Sequence, residues 1–118
     1  MHELALCEAL TGQVERVARE AGAVRVLSVT LRVGPLSGIE PALLESAFPL
    51  SSAGTMLERS KLLIERSPIR VRCLECGQES EALPTRLLCA RCAHWRVQVL
   101  SGQELMLARV ELERPGRD

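Results

Sequence analysis

From Glu3 onward, apolar residues recur at Cys7, Leu10, Val14, Val17, Ala18 and Ala21, while Gln13, Glu15, Arg16, Arg19 and Glu20 face the other way. Steps of three and four residues put the first set on one stripe, so the spacing predicts an amphipathic helix that Gly22 stops. At Arg25 the period drops to two. Leu27, Val29, Leu31 and Val33 share one face, and Val26, Ser28, Thr30 and Arg32 the other, which predicts a half-buried strand broken by Gly34-Pro-Leu-Ser-Gly38. Glu40-Pro41 opens a second helix, with proline in the first turn where it is tolerated, and Leu43, Leu44, Ala47 and Phe48 directed inward. Pro49 is expected to kink that helix or end it early, since an interior proline removes one hydrogen bond and crowds the preceding turn. Lys61 to Glu65 reads as a short strand. After Gly102 the run from Glu104 to Glu113 alternates, with Met106, Ala108, Val110 and Leu112 on one face.

Strands therefore precede and follow a segment of different character, residues 69–101. The architecture expected is α+β: a small three-stranded sheet with two helices, residues 1–68 and 102–118, and an inserted lobe. At 118 residues the core is modest and the lobe too short to fold unaided. The polar tail Arg114-Pro-Gly-Arg-Asp118 extends past the last strand.

What staples the lobe is a pair of Cys-x-x-Cys motifs, Cys73-Leu-Glu-Cys76 and Cys89-Ala-Arg-Cys92, separated by residues 77–88. A two-residue gap lets both thiolates of a pair turn onto one ion, and two such pairs supply the four soft ligands of a closed tetrahedral zinc site. Iron–sulfur ligation stays open, because thiolates alone do not choose the metal. Disulfides suit the chain poorly. No apolar signal segment precedes the first helix, and five cysteines leave one unpaired. A thioredoxin-like redox pair would be a single motif at a strand-to-helix turn. Cys7, on the apolar stripe of the first helix, reads as a small buried hydrophobe. A site saturated by four thiolates leaves no position for an activated water, and no nucleophile–base pair or phosphate loop is visible, so the chain reads as a non-enzyme.

Charge and aromatic content narrow the partners. Fifteen basic and fifteen acidic residues cancel, and Phe48 and Trp95 are the whole aromatic inventory. A nucleic-acid binder of this size normally shows a basic face and a stacking platform. No stretch is long and apolar enough to span a membrane. A soluble, cytoplasmic protein with no nucleic-acid or membrane partner is the expectation. A monomer is expected as well, and strand exchange at an open sheet edge leaves a dimer conceivable.

The chain begins Met1-His2-Glu3. The terminal amine, the following backbone amides and the His2 imidazole can close chelate rings around one square-planar ion. Amides deprotonate only for metals that strongly favour that geometry, chiefly Ni(II) and Cu(II). Taken alone, a histidine at position two reads more simply as an exposed side chain.

Met1-His2-Glu3-Leu4 with an amphipathic helix behind it, two Cys-x-x-Cys pairs, and a closing strand after Gly102-Gln-Glu-Leu105 together resemble the HypA/HybF family of hydrogenase-maturation nickel metallochaperones. The resemblance also takes in Arg25 and the strand running into Gly34, Gly54-Thr55, and Lys61 to Glu65. It implies a structural Zn(II) on Cys73, Cys76, Cys89 and Cys92. It implies a separate, transported Ni(II) on His2, the Met1 amine and backbone nitrogens of His2 and Glu3, so that residues 1–68 and 102–118 become the nickel-binding core. It further implies a HypB-type GTPase and the [NiFe]-hydrogenase large subunit as partners, with urease as a recipient in some members. The second knuckle departs from the family's frequent Cys-Pro-x-Cys, which bears on turn geometry and not on the ligands. His94, two residues past Cys92, is a candidate accessory nickel ligand, although a solvated loop histidine is the simpler reading. Trp95 is expected to pack the lobe's small core. The competing reading is a zinc-ribbon adaptor or nucleic-acid-binding module in which His2 is incidental.

Overall fold

The computed structural model describes residues 2–116, apart from the His2 side chain. Helix α1 spans His2–Glu20, strand β1 Arg25–Val33, helix α2 Pro41–Ser52, and strands β2 to β6 follow at Lys61–Arg66, Ile69–Cys73, Glu79–Ala82, Val97–Ser101 and Leu105–Glu113. They form two three-stranded sheets, ordered β2-β1-β6 and β4-β3-β5. The α+β expectation of two helices, a small sheet and an inserted lobe therefore holds, and the lobe contains a sheet of its own. The chain divides into two compact units: Met1–Leu31 with Glu40–Ile64 and Leu107–Asp118, and Arg32–Ile39 with Glu65–Met106.

In the first unit α1 packs on α2. Cys7, Leu10, Val14 and Ala18 are buried at steps of three and four, as are Leu44, Ala47 and Phe48 of α2, Val26, Val29 and Leu31 of β1, and Leu57. The buried stripe of α1 is narrower than expected: Val17 is exposed, and Thr11 is buried with its hydroxyl 3.3 Å from that of Ser51. Gly22 stops the helix as expected. It adopts φ 73° while its N–H bonds to Arg19 O and the Ala23 N–H to Ala18 O, which satisfies two carbonyls left over at the helix end.

Further expectations are corrected in this unit. Leu43 is half exposed; it lines an apolar surface hollow with Leu4 and Leu50 instead of pointing inward. Pro49 does not end α2, which continues to Ser52. A proline that near the C-terminus removes one bond, and the Ser51 and Ser52 hydroxyls donate to the carbonyls of Phe48 and Pro49 in the same turn. Finally, β1 is not half-buried by face. Val26, Ser28 and Thr30 are buried along with Val29, Leu31 and Val33, whereas Leu27 is 39 % exposed. As the middle strand of its sheet it is shielded at both edges, and its polar side can be covered because the Ser28 hydroxyl donates to the Glu111 carboxylate at 2.5 Å. Glu15, read as a solvated position, is also recruited: its carboxylate accepts the Met56 N–H at 2.9 Å.

In the second unit β3 is the central strand, antiparallel to both β4 and β5, with Val71 opposite Ser80 and Val99. Ile69, Val71, Cys73 and Cys89 are its buried side chains in the lobe. Pro68 and Gly102 stand where the chain enters and leaves the β3–β5 pair. Gly102 is at φ 114° and packs so closely that a Cβ there would lie 2.9 Å from Ile69 Cγ1. A Cβ on Gly34 would lie 2.1 Å from Gly102 O, so the backbone crossing of Gly34 over Gly102 requires glycine.

Candidate metal centre

Each Cys-x-x-Cys pair folds into the same turn. In the first, the Cys73 N–H bonds to Gln78 O and the Gly77 N–H to Cys73 O, while Cys73 Sγ accepts the N–H groups of Glu75 and Cys76 at 3.3 and 3.4 Å. In the second, the Cys89 N–H bonds to His94 O and the Ala93 N–H to Cys89 O, while Cys89 Sγ accepts from Arg91 and Cys92, again at 3.3 and 3.4 Å. The residue after each second cysteine is left-handed: Gly77 at φ 77° and Ala93 at φ 62°. The turn matters chemically because it aims two backbone N–H dipoles at a sulfur and so favours thiolate over thiol.

β3 delivers the first knuckle, since Cys73 is its last residue, and β5 begins five residues after Cys92. The strands bring the knuckles face to face. Cys73 and Cys92 Sγ are 3.6 Å apart, Cys76 and Cys89 Sγ 3.6 Å apart, and all four lie within 4.8 Å of one another. A tetrahedron with metal–sulfur bonds of about 2.3 Å has sulfur–sulfur edges of about 3.8 Å. The four sulfurs already stand close to that arrangement, around space for one ion rather than a multi-iron cluster. Cys73 and Cys89 are buried, Cys76 and Cys92 exposed.

The thiols are electrically divided. The Cys92 N–H, followed by that of Arg91, pulls Cys89 down to about 6. Cys73 is lowered by the N–H of Cys76 and then that of Glu75. At Cys92 the His94 N–H favours the thiolate, but the neighbouring thiol of Cys73, burial and the remaining sulfurs together push the group up to about 12. Crowded sulfurs without a cation keep protons among themselves; a divalent ion at the centre would displace them. The donor set fits structural zinc: four sulfurs, tetrahedral spacing and no fifth position.

Cys7 is not part of this group. It is fully buried, its Sγ lies 3.6 Å from Leu44 O, and burial pushes its thiol pKa up, which fits a packing residue. His94 is built into the second knuckle. Its Nδ1 accepts the Arg96 N–H at 3.0 Å, its Nε2 is 3.9 Å from Glu75 Oε1, and its ring stacks on Trp95 at 5.9 Å. Trp95 itself corrects the sequence reading: it is 72 % exposed and does not fill the lobe. The interior there is already occupied by the small side chains of Val71, Cys73 and Cys89.

Met1 and the His2 imidazole, on which the nickel-site expectation falls, lie outside the described residues. Glu3 is half-buried in the first turn of α1, beside the hollow lined by Leu4, Leu43, Ala47 and Leu50. Sequence reasoning missed Glu104, whose carboxylate gathers hydrogen bonds from Gly102 and Ser67. Its only signal is its place two residues after a glycine at the edge of the lobe.

Comparison with known proteins agrees with this geometry. The family profile described as hydrogenase/urease nickel incorporation, metallochaperone, HypA matches residues 1–112. Hydrogenase maturation factor HypA of Nitrosospira multiformis is 51 % identical over 112 residues, covering 95 % of this chain and 97 % of that one. The same-named factor of Aquifex aeolicus is 39 % identical, covering 96 % and 98 %. Among solved structures, the Ni metallochaperone HypA from Helicobacter pylori superposes with a TM-score of 0.65 at 20 % identity, over 96 % of this chain and 98 % of that one. A second HypA solution structure gives 0.70 at 23 % identity, over 95 % and 96 %. A profile match along 112 residues and relatives alike over nearly their whole length mean that the chain belongs to the HypA family of nickel-incorporation metallochaperones.

Proposed function

We propose that this chain binds Ni(II) at its N-terminus and hands it on for [NiFe]-hydrogenase maturation, with urease as a second recipient, while a zinc ion on Cys73, Cys76, Cys89 and Cys92 holds the lobe together. One observation carries the reading: among the described residues a single group of metal-ligating side chains converges, and it is a closed four-sulfur set. Such a set suits a resident ion and not a cargo, so the nickel needs a different donor set. The Met1 amine, the His2 imidazole and the backbone nitrogens of His2 and Glu3 supply one. α1 begins at His2, and the first N–H groups of a helix have no partner within it, so enlisting these amides breaks no helical hydrogen bond.

Four nitrogens in a plane favour nickel and disfavour zinc, and the four thiolates do the reverse. In this reading residues 1–68 and 102–118 are the nickel-binding core, residues 69–101 the zinc lobe, and Glu3 tunes the nickel site without binding through its carboxylate. His94 is the first candidate for an accessory ligand, its Nε2 being the ring nitrogen not engaged by a backbone amide. The handover runs in the cytoplasm, with a HypB-type GTPase and the hydrogenase large subunit as partners, and the chain carries out no catalysis of its own.

The test is a nickel titration of zinc-loaded chain with a native Met1, against H2A and a version extended before Met1. Loss of binding in both, with zinc content and fold intact, supports the terminal site. Binding that survives both moves the site elsewhere, with H94A next. Native chain that ignores nickel favours the zinc-ribbon adaptor, and salt-sensitive retention on DNA or RNA would favour its nucleic-acid form.

A further inference from the structure

The two strands that carry the knuckles are held at their metal end by the cysteines. Their other end presents a difficulty. Pro68, the residue before β3, has no N–H to donate, and Gly102, the residue after β5, is turned to φ 114°, outside strand conformation. Next to this end the β3–β5 register also shifts, between Arg70 and Val71. A bulge loosens a ladder locally, and a one-residue slip would carry every side chain of β5 to the other face. The slip would also move the second knuckle relative to the first.

Glu104 fills the gap. One carboxylate oxygen, Oε1, accepts the Gly102 N–H at 2.7 Å and the Ser67 hydroxyl at 3.0 Å, so a single atom joins the incoming and outgoing chain. The Glu104 backbone is held in turn, its carbonyl accepting the Gly34 N–H at 2.7 Å, while Gly102 O accepts the Leu36 N–H at 2.7 Å and the Ser67 N–H bonds to Val33 O. The Ser101 hydroxyl adds a bond to Pro68 O at 3.0 Å. Ser67 is buried, and the acceptor is an ionised group, which makes these bonds of the stronger kind. The carboxyl is held below its usual range by its own N–H and that of Gly102, with Ser67 and the Arg32 charge adding to the effect.

We infer that Glu104 is a positioning residue for the zinc site: by clasping Ser67 to Gly102 it fixes the register in which β3 and β5 present the two knuckles, and so governs how firmly the metal is kept. Five strand residues at about 3.3 Å each put the clasp roughly 17 Å from the sulfurs, so Glu104 acts through the strands and not on the ion. The inference rests on the four-cysteine zinc reading proposed above, and its test separates the two.

Zinc content of the full chain is measured first. A wild type that holds less than one zinc per chain overturns the zinc reading and this inference with it. With one zinc bound, the rate of zinc transfer to a colorimetric chelator is compared across wild type, E104A, E104Q, S67A and a control, V29A, which loosens the core of the other unit. E104A should release zinc about tenfold faster, the effect of losing a charge-assisted hydrogen bond. E104Q, which keeps an acceptor oxygen, should fall between E104A and wild type, and V29A should match wild type. Release from E104A within twofold of wild type refutes the role of Glu104 while leaving the zinc site standing. Equal acceleration in V29A refutes it too, since general loss of stability would then suffice. Should E104A not fold, E104Q and S67A decide: faster release in both supports the clasp, and wild-type rates in both refute it.

Discussion

Ala93 and Gly77 occupy the same place in two copies of one turn, and they do not sit there equally easily. A left-handed conformation costs a residue with a Cβ about 1 kcal/mol that glycine does not incur. Neither Gly77 nor the turn around it is crowded, because a Cβ at that position meets nothing within 4 Å, so the whole difference is conformational. Gly77→Ala should therefore destabilise the zinc-loaded chain by about 1 kcal/mol. Ala93→Gly should stabilise it by about 0.5 kcal/mol, part of the relief being offset by a freer unfolded chain. Denaturant midpoints check both, and opposite signs are the informative result. The cysteines separate in the same residue-by-residue way. Cys76→Ser and Cys92→Ser should abolish stoichiometric zinc, whereas Cys7→Ala should keep one zinc per chain while costing about 1–2 kcal/mol of packing. The four-cysteine cluster was legible because a two-residue gap admits few other meanings. Trp95 was not, since its exposure depends on how little room Val71 and the cysteines leave, which no local pattern records.

At the level of elements, both helices and all the long strands were legible from period alone, and the errors share a cause. Periodicity tells which residues lie together on a face but not how many neighbours cover it. β1 shows this: its alternating pattern promised one wet face, yet a central strand whose serine finds Glu111 can be buried on both. Pro49 shows the converse, a local rule overridden within one turn of a helix end. Because Pro49 still forfeits one hydrogen bond, Pro49→Ala should raise stability by about 1–2 kcal/mol without altering nickel or zinc content, as read by thermal unfolding. The clasp at Glu104 was illegible for a different reason: it depends on Ser67 meeting Gly102, thirty-five positions along the chain. It also has a pH signature. A carboxyl whose folded value lies below its unfolded value of about 4.3 contributes stability that is complete above that value and is lost as pH falls through the folded one. Wild type should thus exceed E104Q in urea midpoint at neutral pH, and the gap should narrow as pH falls below about 4.3. A gap that stays constant to pH 3 would mean the charge contributes nothing.

Across the whole molecule, the four sulfurs and the proposed nickel donors would stand at opposite extremes of retention. The four sulfurs are held by two rigid turns, by paired strands and by N–H groups that already favour thiolate. The proposed nickel donors are an amine, an imidazole and amides at a chain end, every one of which must shed or withhold a proton to bind. An α-amine titrates near 8 and an unperturbed imidazole near 6.5, so mild acid protonates both. Protons and nickel then compete for the same lone pairs, and apparent nickel affinity must fall as pH drops, by more than tenfold per unit wherever more than one proton is displaced. The sulfur set, four thiolates closing on one ion, should hold zinc across the same interval. Titrating chain loaded with both metals from pH 8 to pH 6 should release nickel first while zinc stays at one per chain. Nickel uptake that is flat over that interval would exclude the terminal amine and imidazole as its ligands. Zinc leaving ahead of nickel would instead reverse the assignment of cargo and staple.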